Sequence, residues 1–79
     1  MIKFIRICGH DFNVRNIIAI RPRLWQGQTS IDVVTTKETY MYDVREHISV
    51  AHAAIAEALN EINSTLNVVV EVDLTERKR

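Results

Sequence analysis

Seventy-nine residues with ten basic and ten acidic side chains allow one small domain of zero net charge, which argues against wholesale nucleic-acid binding. A single cysteine excludes an internal disulfide and a cysteine-built structural zinc site, and it fits a reducing, cytoplasmic setting. A lone core of this size seldom supplies more than roughly 3–5 kcal/mol, so self-association is the support left to it.

The chain starts with strand formers. Ile2, Phe4, Ile5, Ile7 and Cys8 are broken only by Lys3 and Arg6, predicting a strand over 2–8. Gly9-His10 then suits a two-residue hairpin turn, and the chain returns through Phe12, Val14 and Ile17, with an interruption at Arg15-Asn16. Residues 17–25 form a second apolar-rich run. Pro22 cannot donate to a ladder, so this strand ends there or lies on an edge. A turn at Gln26-Gly27-Gln28, a strand from Ser30 to Thr36, a turn at Lys37-Glu38 and a strand at Thr39–Tyr42 complete the series.

The helix carries the strongest periodicity. Asp43 with Glu46 three residues later has the spacing of a capping box. Ile48, Ala51, Ile55, Leu59 and Ile62 recur at helical spacing, so Ile48, Ile55, Leu59 and Ile62 are the expected sheet-facing side. Beyond Asn67 the period changes. Leu66, Val68, Val70, Val72 and Leu74 alternate with other side chains, predicting a half-buried last strand. The expected fold is therefore α+β: an antiparallel meander of four or five strands packed on one helix, then a C-terminal strand. Residues 1–74 make the domain and 75–79 a polar tail expected to fray.

The side chains that carry chemistry are few. Cys8 and His10 flank the first turn, but no orienting third group or oxyanion motif accompanies them. His47 and His52 are five residues apart, about 140° around a helix, which does not suit a chelating pair. The acids show no paired spacing, and two glycines make no phosphate-cradling loop. We expect no enzyme, no metal and no cofactor. With no apolar run near the ~20 residues of a spanning helix, we also expect no membrane segment.

The most informative stretch is Arg21-Pro22-Arg23-Leu24-Trp25. Strand alternation puts Arg21, Arg23 and Trp25 on one side, a combination suited to gripping a protein surface. The same trio, with Arg15 and the terminal Arg77-Lys78-Arg79, would alternatively hold phosphates and stack a base. In the bland alternative, Trp25 folds back over the core and the arginines stay solvated. The expected function is a non-enzymatic protein-binding module, a small regulator or inhibitor, with nucleic-acid binding as the alternative. Val68, Val70 and Val72 are the expected homo-oligomer interface, because an unpaired valine run needs cover.

Charge is unevenly placed along the chain. Residues 1–31 carry Lys3, Arg6, Arg15, Arg21 and Arg23 against Asp11, a balance of +4. Residues 32–76 hold nine acids against Lys37 and Arg45, a balance of −7.

Residues 2–48 loosely resemble small bacterial flagellar-regulator domains of the FlbD-like type. The shared features are an N-terminal strand, a glycine turn, Phe12-Asn13, the Ile-rich strand from Ile17 to Ile20, and a hairpin before a helix. Trp25 to Gln28 and the strand after the helix depart from that pattern.

Overall fold

The computed structural model describes residues 1–77 and has the α+β architecture expected from the sequence. The strands are β1 (Phe4–Ile7), β2 (His10–Asn13), β3 (Ile17–Trp25), β4 (Gln28–Thr35), β5 (Thr39–Val44) and β6 (Val69–Glu71), with the helix α1 (Ile48–Ser64) before β6. They form two three-stranded sheets instead of one continuous meander: β2-β1-β6 and β3-β4-β5. The break falls at a 3₁₀ turn over Val14–Asn16, where Asn13 Oδ1 accepts from the Arg15 amide at 3.0 Å and turns the chain out of the first hairpin.

The β1–β2 and β3–β4 turns are each set by two consecutive left-handed residues, as a two-residue type I′ turn requires, whereas the three-residue β4–β5 connection contains none. Gln26 (φ 50°) and Gly27 (φ 73°) close β3 on β4. The first turn is Cys8 (φ 50°) and Gly9 (φ 82°), one residue earlier than the expected Gly9-His10. That register sets Ile5 opposite Phe12 inside and Arg6 opposite Asp11 outside, where the two charges meet at 2.7 Å. Cys8 is consequently a turn residue, not the end of a strand.

α1 starts later than its expected cap. Asp43 and Val44 still belong to β5, because Val44 is buried and pairs with Thr29. His47 caps the helix instead, its Nδ1 accepting from the Ser49 amide at 3.2 Å. Glu46 turns away and accepts from the Thr75 amide at 2.8 Å. The helix is also rotated from the expected face. Ala51, Ile55, Ala58 and Ile62 are buried, Ile48 is half-buried, and Leu59 is 37% exposed. Alanines on the inner stripe bring the helix backbone close to the sheets, and the apolar faces of Ile5, Ile7, Ile31, Val33, Val44 and Val72 complete one core.

The last strand closes the fold inside the chain. β6 lies parallel to β1, Val70 beside Ile5, and is three residues long instead of running from Leu66 to Leu74. Val70 and Val72, expected at an oligomer interface, point into the chain's own core, and Val68 is half exposed. The first part of the tail is tied as well. Val44 bridges Glu76 and the Arg77 amide donates to the Asp43 carbonyl at 2.7 Å, so fraying does not begin at Thr75. Lys78 and Arg79 lie outside the described residues.

Lys3 holds the far end of α1. Its ammonium donates to the Ile62 carbonyl at 2.6 Å and the Thr65 carbonyl at 3.0 Å, placing a cation where the helix macrodipole is negative. Lys3→Met is expected to lower unfolding free energy by about 1–3 kcal/mol, the range for charge-assisted bonds. Urea denaturation checks this. A midpoint equal to the parent's would mean water serves those carbonyls equally well.

Candidate functional site

The β3-β4-β5 sheet has one face in the core and one in solvent. Register decides which side chains share the outer face: Arg21 lies opposite Asp32, Arg23 opposite Ser30 and Trp25 opposite Gln28, while Asp32 and Ser30 pair onward with Met41 and Asp43 of β5. The bulge in β3 falls between Ile17 and Ala19, before these residues, so alternation holds from Arg21 to Trp25. Arg21, Arg23 and Trp25 stand on one side, as the sequence predicts. Trp25 does not fold over the core. It is 65% exposed at the tip of the β3–β4 hairpin, and Met41 on the same face is 62% exposed.

The charges on this face are interleaved. Arg23 Nε meets Asp32 Oδ2 at 2.6 Å, across the diagonal of the register. The other oxygen of Asp32 is buried without a hydrogen-bond partner. Ser30 donates its hydroxyl to Asp43 Oδ1 at 2.8 Å, and Arg77 lies 3.8 Å from the same carboxylate and donates to Gln28. Arg21 has no ion pair among the described residues. The face is thus a half-neutralised polar sheet carrying two large exposed apolar side chains. Met41 and Asp32 were not singled out from sequence; their membership depends on the β4–β5 register, which no short motif encodes.

Cys8 and His10 form a different cluster. His10 Nδ1 lies 2.7 Å from the Tyr42 hydroxyl, with the rings 5.6 Å apart, and Phe12 packs edge-on against Tyr40 at 5.1 Å. Burial, with the nearby charges of Glu76 and Glu46, pushes the Cys8 thiol up to about 11. A nucleophilic cysteine needs the opposite shift. The adjoining depression, about 670 Å³, is lined by Arg6, His10, Asp11 and Tyr40 among others, but its arginine and aspartate already neutralise each other. Hydrogen bonding and charge from Arg6 hold the Asp11 carboxyl below its ordinary range. Among the described residues no three His, Cys, Asp or Glu side chains cluster to hold a metal ion, and no helix is long and apolar enough to cross a membrane.

Comparison with known protein families, curated proteins and solved structures found no match to this chain.

Proposed function

We propose that this chain is a non-enzymatic protein-binding module whose outer β3-β4-β5 face, centred on Arg21, Arg23 and Trp25, occupies the surface of a partner protein. The observation that carries this reading is the solvent exposure of Trp25 on a regular strand beside two guanidiniums. Tryptophan and arginine are among the side chains most enriched in binding hot spots, and a strand presents them on a backbone that is already ordered. Met41 extends the apolar area and adapts to irregular surfaces. The interleaved Asp32 and Asp43 weigh against a phosphate backbone as the ligand, since they repel it at the same distance at which the arginines attract it.

Two measurements test the reading. Immobilised parent chain is expected to retain a protein from lysate of the source cells that Trp25→Ser/Arg21→Ser does not retain, with nuclease treatment making no difference. Random duplex or single-stranded DNA is expected to show no mobility shift at micromolar protein and physiological salt. A shift lost in Arg21→Ala/Arg23→Ala, falling with salt at a slope near −0.9 per duplex phosphate contact, would replace this reading with nucleic-acid binding. An identical set of proteins retained by parent and variant would remove the face from the reading.

A further inference from the structure

β5 is an edge strand, and the chain's own tail shows what that edge accepts. The order β3-β4-β5 leaves one side of β5 without a neighbouring strand of its sheet. At its C-terminal end the tail runs alongside as a short strap. Val44 and Glu76 form an antiparallel bridge, the Arg45 amide donates to the Thr75 carbonyl at 3.0 Å, and the Arg77 amide donates to the Asp43 carbonyl at 2.7 Å.

Those bonds fix which backbone groups of β5 look outward. The Asp43 carbonyl and the Arg45 amide point away from β4. By the two-residue repeat of a strand, the N–H and C=O of Met41 and Thr39 point the same way. Tyr40, Tyr42 and Val44 turn theirs toward Val33, Ile31 and Thr29 of β4. Among the described residues, nothing bonds the outward groups of Thr39 and Met41. The other edge of this sheet, β3, carries Pro22 in its middle, a usual guard against strand addition. β5 holds neither proline nor lysine from Thr39 to Val44.

A side-chain site adjoins this open stretch. A depression of about 670 Å³ is walled by His10 and Phe12 of β2 and by Tyr40 of β5. Phe12 packs edge-on against Tyr40, which is 37% exposed, and His10 is exposed as well. The only charges lining it, Arg6 and Asp11, are paired with each other, so its recognition chemistry is aromatic.

We propose that the Thr39–Met41 edge is a β-addition site for an extended segment of a partner protein. The segment lies antiparallel to β5, as the strap does, and exchanges main-chain hydrogen bonds with Met41 and Thr39. An aromatic side chain of the segment enters the depression against His10, Phe12 and Tyr40. In such sites main-chain bonds supply affinity, and pockets for alternate side chains supply selectivity. The strap already takes Asp43 and Arg45, so the paired stretch is short and the aromatic side chain carries the selectivity. This site is separate from the outer face and needs neither Arg21 nor Trp25.

A random heptapeptide library displayed on phage and panned on the immobilised full chain tests it. Recovered peptides are expected to hold an aromatic residue flanked by β-branched ones. Added to isotope-labelled protein, they are expected to shift the Thr39 and Met41 amides and the His10 and Tyr40 rings, leaving the Trp25 indole unmoved. Met41→Pro removes an outward N–H that β4 does not use and is expected to weaken binding about tenfold. Met41→Ala keeps that N–H and is expected to bind within about twofold of the parent. Urea midpoints verify that both variants fold. Methylating the peptide's own amides one at a time gives the same test on the unaltered protein. Binding is expected to fall at alternate residues only, the signature of strand pairing. No peptide enriched, no alternation, or equal binding by Met41→Pro and the parent would each overturn the proposal. So would peptides that shift Trp25 and lose binding in Trp25→Ser/Arg21→Ser, since those belong to the outer face.

Discussion

Ile62→Ala is expected to lower the unfolding free energy by about 2–5 kcal/mol, the range for removing a buried aliphatic side chain and leaving part of its space empty. Ile62 is 1% exposed, at the point where the last turn of α1 meets the sheets, and its carbonyl is one of the two that Lys3 holds. A core of this size has roughly 3–5 kcal/mol in total, so the variant is expected to lose most of its cooperative urea transition at room temperature. Leu59→Ala supplies the contrast. At 37% exposure, beside Ile20 and Pro22 of β3, Leu59 hides only part of its side chain, and its loss is expected to cost about 1–2 kcal/mol, less than that of Ile62. Urea midpoints for the two variants decide the point. The reverse ranking would mean that α1 is rotated toward the face its leucine suggests.

That contrast also marks how far the sequence could be read. Helical spacing fits both Leu59 and Ala58 on the inner side, and ranking by hydrophobicity chooses the leucine. Packing chooses the alanine, because close approach to two sheets rewards a small side chain at the contact. Once Leu59 is assigned to the core, no groove beside β3 is visible, so the β3–α1 surface was not legible without the docked helix. The start of α1 was missed for a related reason. Asp43-x-x-Glu46 has the local chemistry of a cap, yet Val44 is needed in the core opposite Thr29, and that tertiary demand keeps the chain extended past Asp43. The Arg21, Arg23 and Trp25 face was legible because alternation along one strand is a local property; Pro22 left that strand to end there or lie on an edge, and the sheet order makes it an edge that runs on to Trp25. The β1–β6 pairing was not, since Phe4 meets Val69 across nearly the whole chain and no local pattern links them.

Alkali is expected to unfold this protein earlier than its composition suggests, through Cys8 in the first hairpin turn and Tyr42 of β5, which reaches His10 of that hairpin. Burial pushes the Cys8 thiol up to about 11 from an ordinary 9.0, with Glu76 and Glu46 adding to it. Burial likewise pushes the Tyr42 phenol up to about 12 from 10.0, with Cys8, Glu76 and Tyr40 contributing. Both groups are charged only when deprotonated, so the fold favours their neutral forms. Below pH 9.0 both are protonated in folded and unfolded chains alike, and their contribution to stability is complete. As pH rises past 9.0 the unfolded thiol ionises first, then the unfolded phenol near 10.0, and stability falls until the folded values near 11 and 12 are passed. The two losses reinforce each other, because a Cys8 thiolate raises the cost of a Tyr42 phenolate beside it. Urea midpoints measured from pH 8 to pH 12 are expected to decline steadily through this window. Cys8→Ser is expected to remove the lower part of the decline and soften the upper part. Tyr42→Phe removes the upper part, at a cost of about 1 kcal/mol near neutrality for the lost bond to His10. Midpoints that stay level through the window in the parent, or that fall equally in Cys8→Ser/Tyr42→Phe, would show that these groups ionise as freely in the fold as outside it.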